Sequence, residues 1–105
     1  MIIEDYEKGV TNVSKQFVEE NLHKIGKVIK VVLRNPFSDI WKHYGVEIVG
    51  TKGSLYVYGF SWGYGGEGCR GLLWLFQKLG LNYTLKQISQ LPQKTISTTF
   101  YLNST

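Results

Sequence analysis

The chain is poor in the residues that build reactive centres and covalent staples. Its 105 residues include one cysteine, two histidines, two prolines and one methionine. A single cysteine permits no internal disulfide and no multi-cysteine zinc site. No apolar run approaches the ~18 residues that a helical membrane span requires, so no membrane partner is expected. The start, Met1-Ile2-Ile3-Glu4-Asp5-Tyr6-Glu7, carries acids where an export signal has basic and apolar residues. The expectation is a soluble, cytoplasmic protein. One further scarcity is positional. Residues 68–105 hold Arg70, Lys78, Lys86 and Lys94 and no aspartate or glutamate, so the whole net charge of +4 lies after Glu67. An acid-free segment creates a positive potential and favours an anionic partner. Four cations are too sparse for the basic stripe of a nucleic-acid binder, which makes nucleic acid the less favoured partner.

What is present suits one globular domain over residues 1–105, with 43% hydrophobic and 19% charged residues. Val13, Phe17, Val18, Leu22 and Ile25 recur at helical spacing. They predict a helix from Thr11 to Gly26, capped by Thr11, Asn12 or Ser14. Strands are predicted at Lys27–Arg34, Tyr44–Val49, Ser54–Phe60 and Thr95–Leu102. A turn is expected at Asn35–Asp39, and a hairpin connection at Gly50–Gly53. Tyr56, Tyr58 and Phe60 would form an aromatic face on the third strand. Gly71–Gly80 predicts a second helix, with Leu72, Leu75, Phe76 and Leu79 facing the core and Gly80 ending it. Tyr83–Leu91 predicts a short helix capped by Thr84. Mixed elements with an antiparallel hairpin indicate an α+β domain. The expected architecture is a mainly antiparallel sheet of about four strands, packed with an N-terminal helix and a helix that follows a glycine-rich loop.

The densest signal is that loop, Trp62-Gly63-Tyr64-Gly65-Gly66-Glu67-Gly68-Cys69-Arg70-Gly71. A helix start leaves backbone N–H groups unpaired and carries partial positive charge. Glycines allow close approach to a phosphate. Arg70 can pair with a phosphate or carboxylate, and Trp62 and Tyr64 can stack on a nucleobase. The candidate ligand-binding residues are therefore Trp62, Tyr64, Gly65, Gly66, Glu67, Gly68, Cys69, Arg70 and Gly71. Gly66–Gly71 also satisfies G-x-G-x-x-G, but the dinucleotide fold needs a βαβ unit and an acid ~20 residues later, and no acid follows Glu67. The opposing reading is a tight strand-to-helix crossing with Trp62 and Tyr64 in the core.

The same residues carry a resemblance. The chain resembles a group of small uncharacterised bacterial and phage domains built around W-G-Y-G-G-x-G-P before an apolar helix. These domains end in a segment Y-x-x-F-K-x-x-(I/V)-x-x-L-P and a final strand. The matching residues here are Trp62–Cys69 and Tyr83–Pro92, and the likeness spans about residues 44–102. Cys69 stands in place of the proline, Arg70 in place of a small residue and Leu85 in place of phenylalanine. The resemblance brings no activity, but its phage setting implies a role in host–virus conflict.

Catalysis is the less favoured expectation. Cys69 lies near a helix start, where thiols become reactive, but a thiol enzyme also needs a base. His23 and His43 show no dyad placement, and with Asp39 and Glu47 they show no metal-ligand spacing. No catalytic residue, metal or cofactor is therefore assigned. The leading expectation is non-catalytic binding of a phosphorylated, nucleotide-like small molecule. In the phage setting this would be a sponge that sequesters a host nucleotide immune signal. The alternative is a protein-interaction module, such as a phage inhibitor of a host protein, since aromatics and arginine anchor interfaces. Homo-oligomerisation is expected from an edge strand and the aromatic face.

Overall fold

The computed structural model describes residues 2–4, 10–35, 44–92 and 97–102. The described residues form an α+β domain. In chain order the elements are β1 (Ile2–Glu4), α1 (Thr11–Asn21) with a 3₁₀ turn (Leu22–Ile25), β2 (Val28–Arg34), β3 (Gly45–Gly50), β4 (Ser54–Val57), α2 (Glu67–Leu79), α3 (Leu85–Ser89) and β5 (Ser97–Tyr101). The strands make one sheet in the order β1-β4-β3-β2-β5. All pairings are antiparallel except β1 with β4, which is parallel. The sheet thus has five strands rather than about four. The added strand, β1, is three residues long, too short for an alternating pattern to identify it.

Alternation along the strands sends Val31, Leu33, Val46, Ile48, Leu55 and Val57 to one face. There they meet Val18 of α1, Leu72, Leu75 and Phe76 of α2, and Ile88 of α3 in a single buried cluster. Phe76, Tyr83 and Phe100 extend it, with ring centroids 5.1–5.3 Å apart and edge-to-face geometry.

Several local expectations change. The register of β2 against β3 shifts between Val28 and Lys30, so Ile29 is exposed instead of sharing the buried face of Val31 and Leu33. The predicted strand Ser54–Phe60 ends at Val57. Tyr58 turns to donate its hydroxyl to Glu4 Oε1 at 2.9 Å, and Phe60 enters the core. The expected aromatic face therefore does not form. α1 has Val10 at its cap position and no side-chain cap. Thr11 and Ser14 bind Gly59 instead: Thr11 Oγ1 donates to its carbonyl at 2.7 Å, and its N–H donates to Ser14 Oγ at 2.9 Å. α2 starts four residues earlier than expected, at Glu67, and stops at Gly80 in the left-handed conformation, φ 82°. α3 carries the capping box of Thr84 and Gln87. Residues 36–39 of the expected turn, His43, and Thr95 and Ile96 of the expected last strand lie outside the described residues.

The sharpest packing constraint is at Gly71. A Cβ there would lie 2.5 Å from Thr11 Cγ2 and 2.6 Å from Phe60 Cδ1, and both neighbours are buried. Gly71→Ala is expected to destabilise the domain by about 1–3 kcal/mol, the usual cost of overpacking. That loss lowers the melting temperature by ~4–8 °C per kcal/mol for a domain of this size. Gly65→Ala is the comparison, because a Cβ at Gly65 meets no atom within 4 Å. Its thermal unfolding should stay level or shift slightly upward.

Candidate functional site

The glycine-rich segment is anchored before it is exposed. Trp62 is fully buried, and its indole Nε1 donates to Asn35 Oδ1 at 2.6 Å. Ser61 N–H donates to the Gly68 carbonyl at 3.1 Å, and Gly63 N–H to the Ile88 carbonyl at 3.0 Å. The Cys69 thiol is buried, donates to the Tyr64 carbonyl at 2.6 Å, and lies 3.8 Å from Ser61 Oγ. A Cβ on Gly68 would collide with Ser61 Oγ, so that glycine permits the loop to lie against α2. These bonds tie the segment to α2, α3 and the end of β2.

The nine candidate residues divide into two sets. Trp62, Cys69 and Gly71 are buried, and Gly68 is half-buried. Their contacts account for them as packing. Tyr64, Gly65, Gly66, Glu67 and Arg70 are exposed. Of the two aromatics considered for stacking, Tyr64 keeps an accessible ring at 48% exposure, whereas Trp62 is enclosed. Behind Tyr64, the Tyr44 ring bridges outward from the core. Its centroid is 4.8 Å from Trp62 and 5.9 Å from Tyr64.

The exposed set surrounds the start of α2. Gly66 occupies the cap position and provides no side-chain cap for the first-turn N–H groups. Glu67 is the first helical residue, where a carboxylate is favourable. Arg70 is the fourth, and its own N–H donates to the Gly66 carbonyl at 3.2 Å. Among the described residues, neither Glu67 nor Arg70 has an ion-pair or side-chain hydrogen-bond partner. The local Arg70–Glu67 pair, the simplest structural use for this arginine, is not made. Lys78 is different: its Nζ lies 3.3 Å from Glu19 Oε2 and 5.6 Å from the Trp74 ring centroid.

Among the described residues no group of three or more His, Cys, Asp or Glu side chains could hold a metal ion. No helix in the described residues is long and apolar enough to cross a membrane. Three residues that shape the site escape sequence reasoning. Asn35 and Ser61 read as turn and loop polar residues, and Tyr44 as an ordinary strand start. An asparagine before proline gives no sign that it will anchor an indole elsewhere in the chain. No family model, curated protein or solved structure matches the chain.

The Tyr44 phenol is held above its ordinary pKa, first by burial and then by Tyr64 and Cys69, whose ionised forms repel a phenolate. A raised folded pKa favours the neutral form in the native state. This contribution is whole below the unfolded value of about 10 and is lost as pH rises through the folded value. As pH rises above about 10, wild-type stability to urea should therefore fall more steeply than that of Tyr44→Phe. Parallel denaturation curves of the two proteins check this.

Proposed function

We propose that the start of α2 binds the phosphate of a nucleotide-like small molecule and retains it without chemical change. The observation that carries this reading is the exposed Arg70, unpaired among the described residues, beside a helix start with no side-chain cap, on a loop anchored by its buried half. A cation close to the positive end of a helix is unfavourable for folding, whereas a bound anion offsets that cost. Gly65 supports the reading too, because neither packing nor a positive φ accounts for it. A residue without a side chain leaves room for a ligand to reach the first-turn N–H groups.

In this arrangement the backbone at residues 65–68 and the Arg70 guanidinium hold the phosphate, and Tyr64 stacks on the base. The Glu67 carboxylate would repel an anion at close range. Its role is to accept from a sugar hydroxyl or a base amine on the side away from the phosphate. The buried thiol of Cys69, already donating to Tyr64, takes no part in chemistry. The sequence resemblance to bacterial and phage domains supports sequestration of a host nucleotide signal as the biological form of this binding.

Calorimetric titration with ADP, a cyclic dinucleotide and inorganic pyrophosphate tests the proposal. At least one nucleotide should bind more tightly than pyrophosphate and be recovered intact by mass spectrometry after the protein is denatured. Arg70→Ala should weaken that binding at least about tenfold, which corresponds to ~1.4 kcal/mol. Its unliganded melting temperature should stay level or rise. No binding by any of the three probes, or an affinity unchanged in Arg70→Ala, refutes the assignment. Recovery of a cleaved nucleotide makes the protein an enzyme instead.

A further inference from the structure

The two edges of the sheet are unlike. β1 is three residues long and ends in the charged Glu4. Charge and shortness are the usual protections of a sheet edge. β5 has neither. It is five residues long, Ser97-Thr98-Thr99-Phe100-Tyr101, and no charged residue occurs from Thr95 to Thr105. Its composition of threonine and aromatics is that of a strand made to pair.

The register shows which backbone groups are available. β5 pairs with β2 through Lys30↔Tyr101, Val31↔Phe100, Val32↔Thr99, Leu33↔Thr98 and Arg34↔Ser97. Just beyond, Leu102 N–H donates to the Ile29 carbonyl at 2.9 Å. In an antiparallel ladder, bonded and non-bonded pairs alternate. Thr98 and Phe100 therefore share the inward orientation of Leu102, and the N–H and C=O groups of Ser97, Thr99 and Tyr101 point away from β2. The side chains of the same three residues are exposed, Tyr101 at 71%.

We infer that β5 pairs antiparallel with β5 of a second copy of this chain, about a two-fold axis through Thr99. The three outward residues are centred on Thr99, so such an axis matches Thr99 with Thr99 and Ser97 with Tyr101. Every outward N–H and C=O of those residues then has a partner. Thr98 meets Phe100 on the core face, and the exposed ring of Tyr101 is covered by Ser97 of the second copy. A Thr–Thr pair is a favourable cross-strand contact, and no like charges stand opposite one another. The backbones of Lys30, beside Tyr101, and Arg34, beside Ser97, lie three strand spacings apart across the axis, ~14 Å. The Lys30 ammonium leans over the Tyr101 ring at 6.0 Å, and the Arg34 charge is already paired with Glu47 at 2.8 Å, so the two do not confront each other as free like charges. A second copy fits better than an unrelated strand because the edge is complementary to itself. The isologous pairing also closes, whereas β5 against the β1 edge would grow without end.

Analytical ultracentrifugation up to millimolar concentration tests the inference. The wild type should sediment as a species of about 24 kDa, twice the 12.0 kDa chain. Thr99→Pro removes an outward N–H that the β2 ladder does not use, so the fold should persist while the protein becomes a monomer. Thr99→Lys places two cations opposite each other and should give the same result without altering the backbone. If Thr99→Pro loses its circular dichroism, Thr99→Lys decides. In the wild type, the amides of Thr99 and Tyr101 should exchange at least about tenfold more slowly with rising concentration, and the Phe100 amide should be slow throughout. A wild type that is monomeric at every concentration overturns the inference. So does a dimer that persists in Thr99→Lys, or an open series of larger species.

Discussion

The grip of α1 on the backbone of Gly59 is the constraint from which the rest of the arrangement follows. Thr11 and Ser14 hold both polar groups of that residue, and a Cβ there would strike the Val10 carbonyl and Ser14. The chain leaving β4 is thereby pressed against the first turn of α1. Phe60 is delivered into the core beside Gly71, and α2 crosses α1 at a distance that no side chain at Gly71 would permit. Hydroxyl groups that would ordinarily cap a helix are spent on a tertiary contact. A buried hydrogen bond of this kind adds little net stability, whereas losing one partner leaves the other's polar group stranded. The contact therefore acts mainly to exclude alternative placements of α1.

The same crossing determines what the glycine-rich segment can be. Its inner half belongs to the core: the Trp62 indole on Asn35, the Cys69 thiol on the Tyr64 carbonyl, and Gly68 under Ser61. Its outer half is a small platform of Tyr64, Gly65, Gly66, Glu67 and Arg70. A structural crossing accounts for the inner residues, and the proposed ligand contacts use only the outer ones. Rigidity on the inside costs the outside nothing, because each bond is made by a group facing away from the platform. Under the proposed function, a segment held in this way would need little ordering on binding.

The sequence was most informative where a single period governs many residues. The stripe of Leu72, Leu75 and Phe76, the left-handed Gly80, the Thr84 cap and the alternation of β5 all follow from local chemistry. It was least informative where a residue answers to a distant partner. Thr11 and Ser14 have the composition of caps and serve Gly59. Cys69 has the placement of a reactive thiol and closes a loop. Trp62 has the look of an exposed stacking residue and is buried against a side chain from the end of β2. The start of α2 is hidden for a related reason. Glycines at 66 and 68 read as loop, but the close approach of Ser61 makes Gly68 useful within the helix.

The position of β5 also governs the order in which the chain can become safe during synthesis. β2 is a strongly apolar strand, Val28-Ile-Lys-Val-Val-Leu-Arg34, and it lies inside the sheet only because residues 97–101 cover one of its sides. Until those residues pair with it, β2 is itself an open edge, guarded by the charges of Lys30 and Arg34. Nascent chains that stall before residue 97 would carry β1, β3 and β4 but expose this strand to one another. Closing β2 therefore waits on a pairing across more than sixty residues of sequence, a non-local contact of the kind that forms late, whereas the β3–β4 hairpin closes locally.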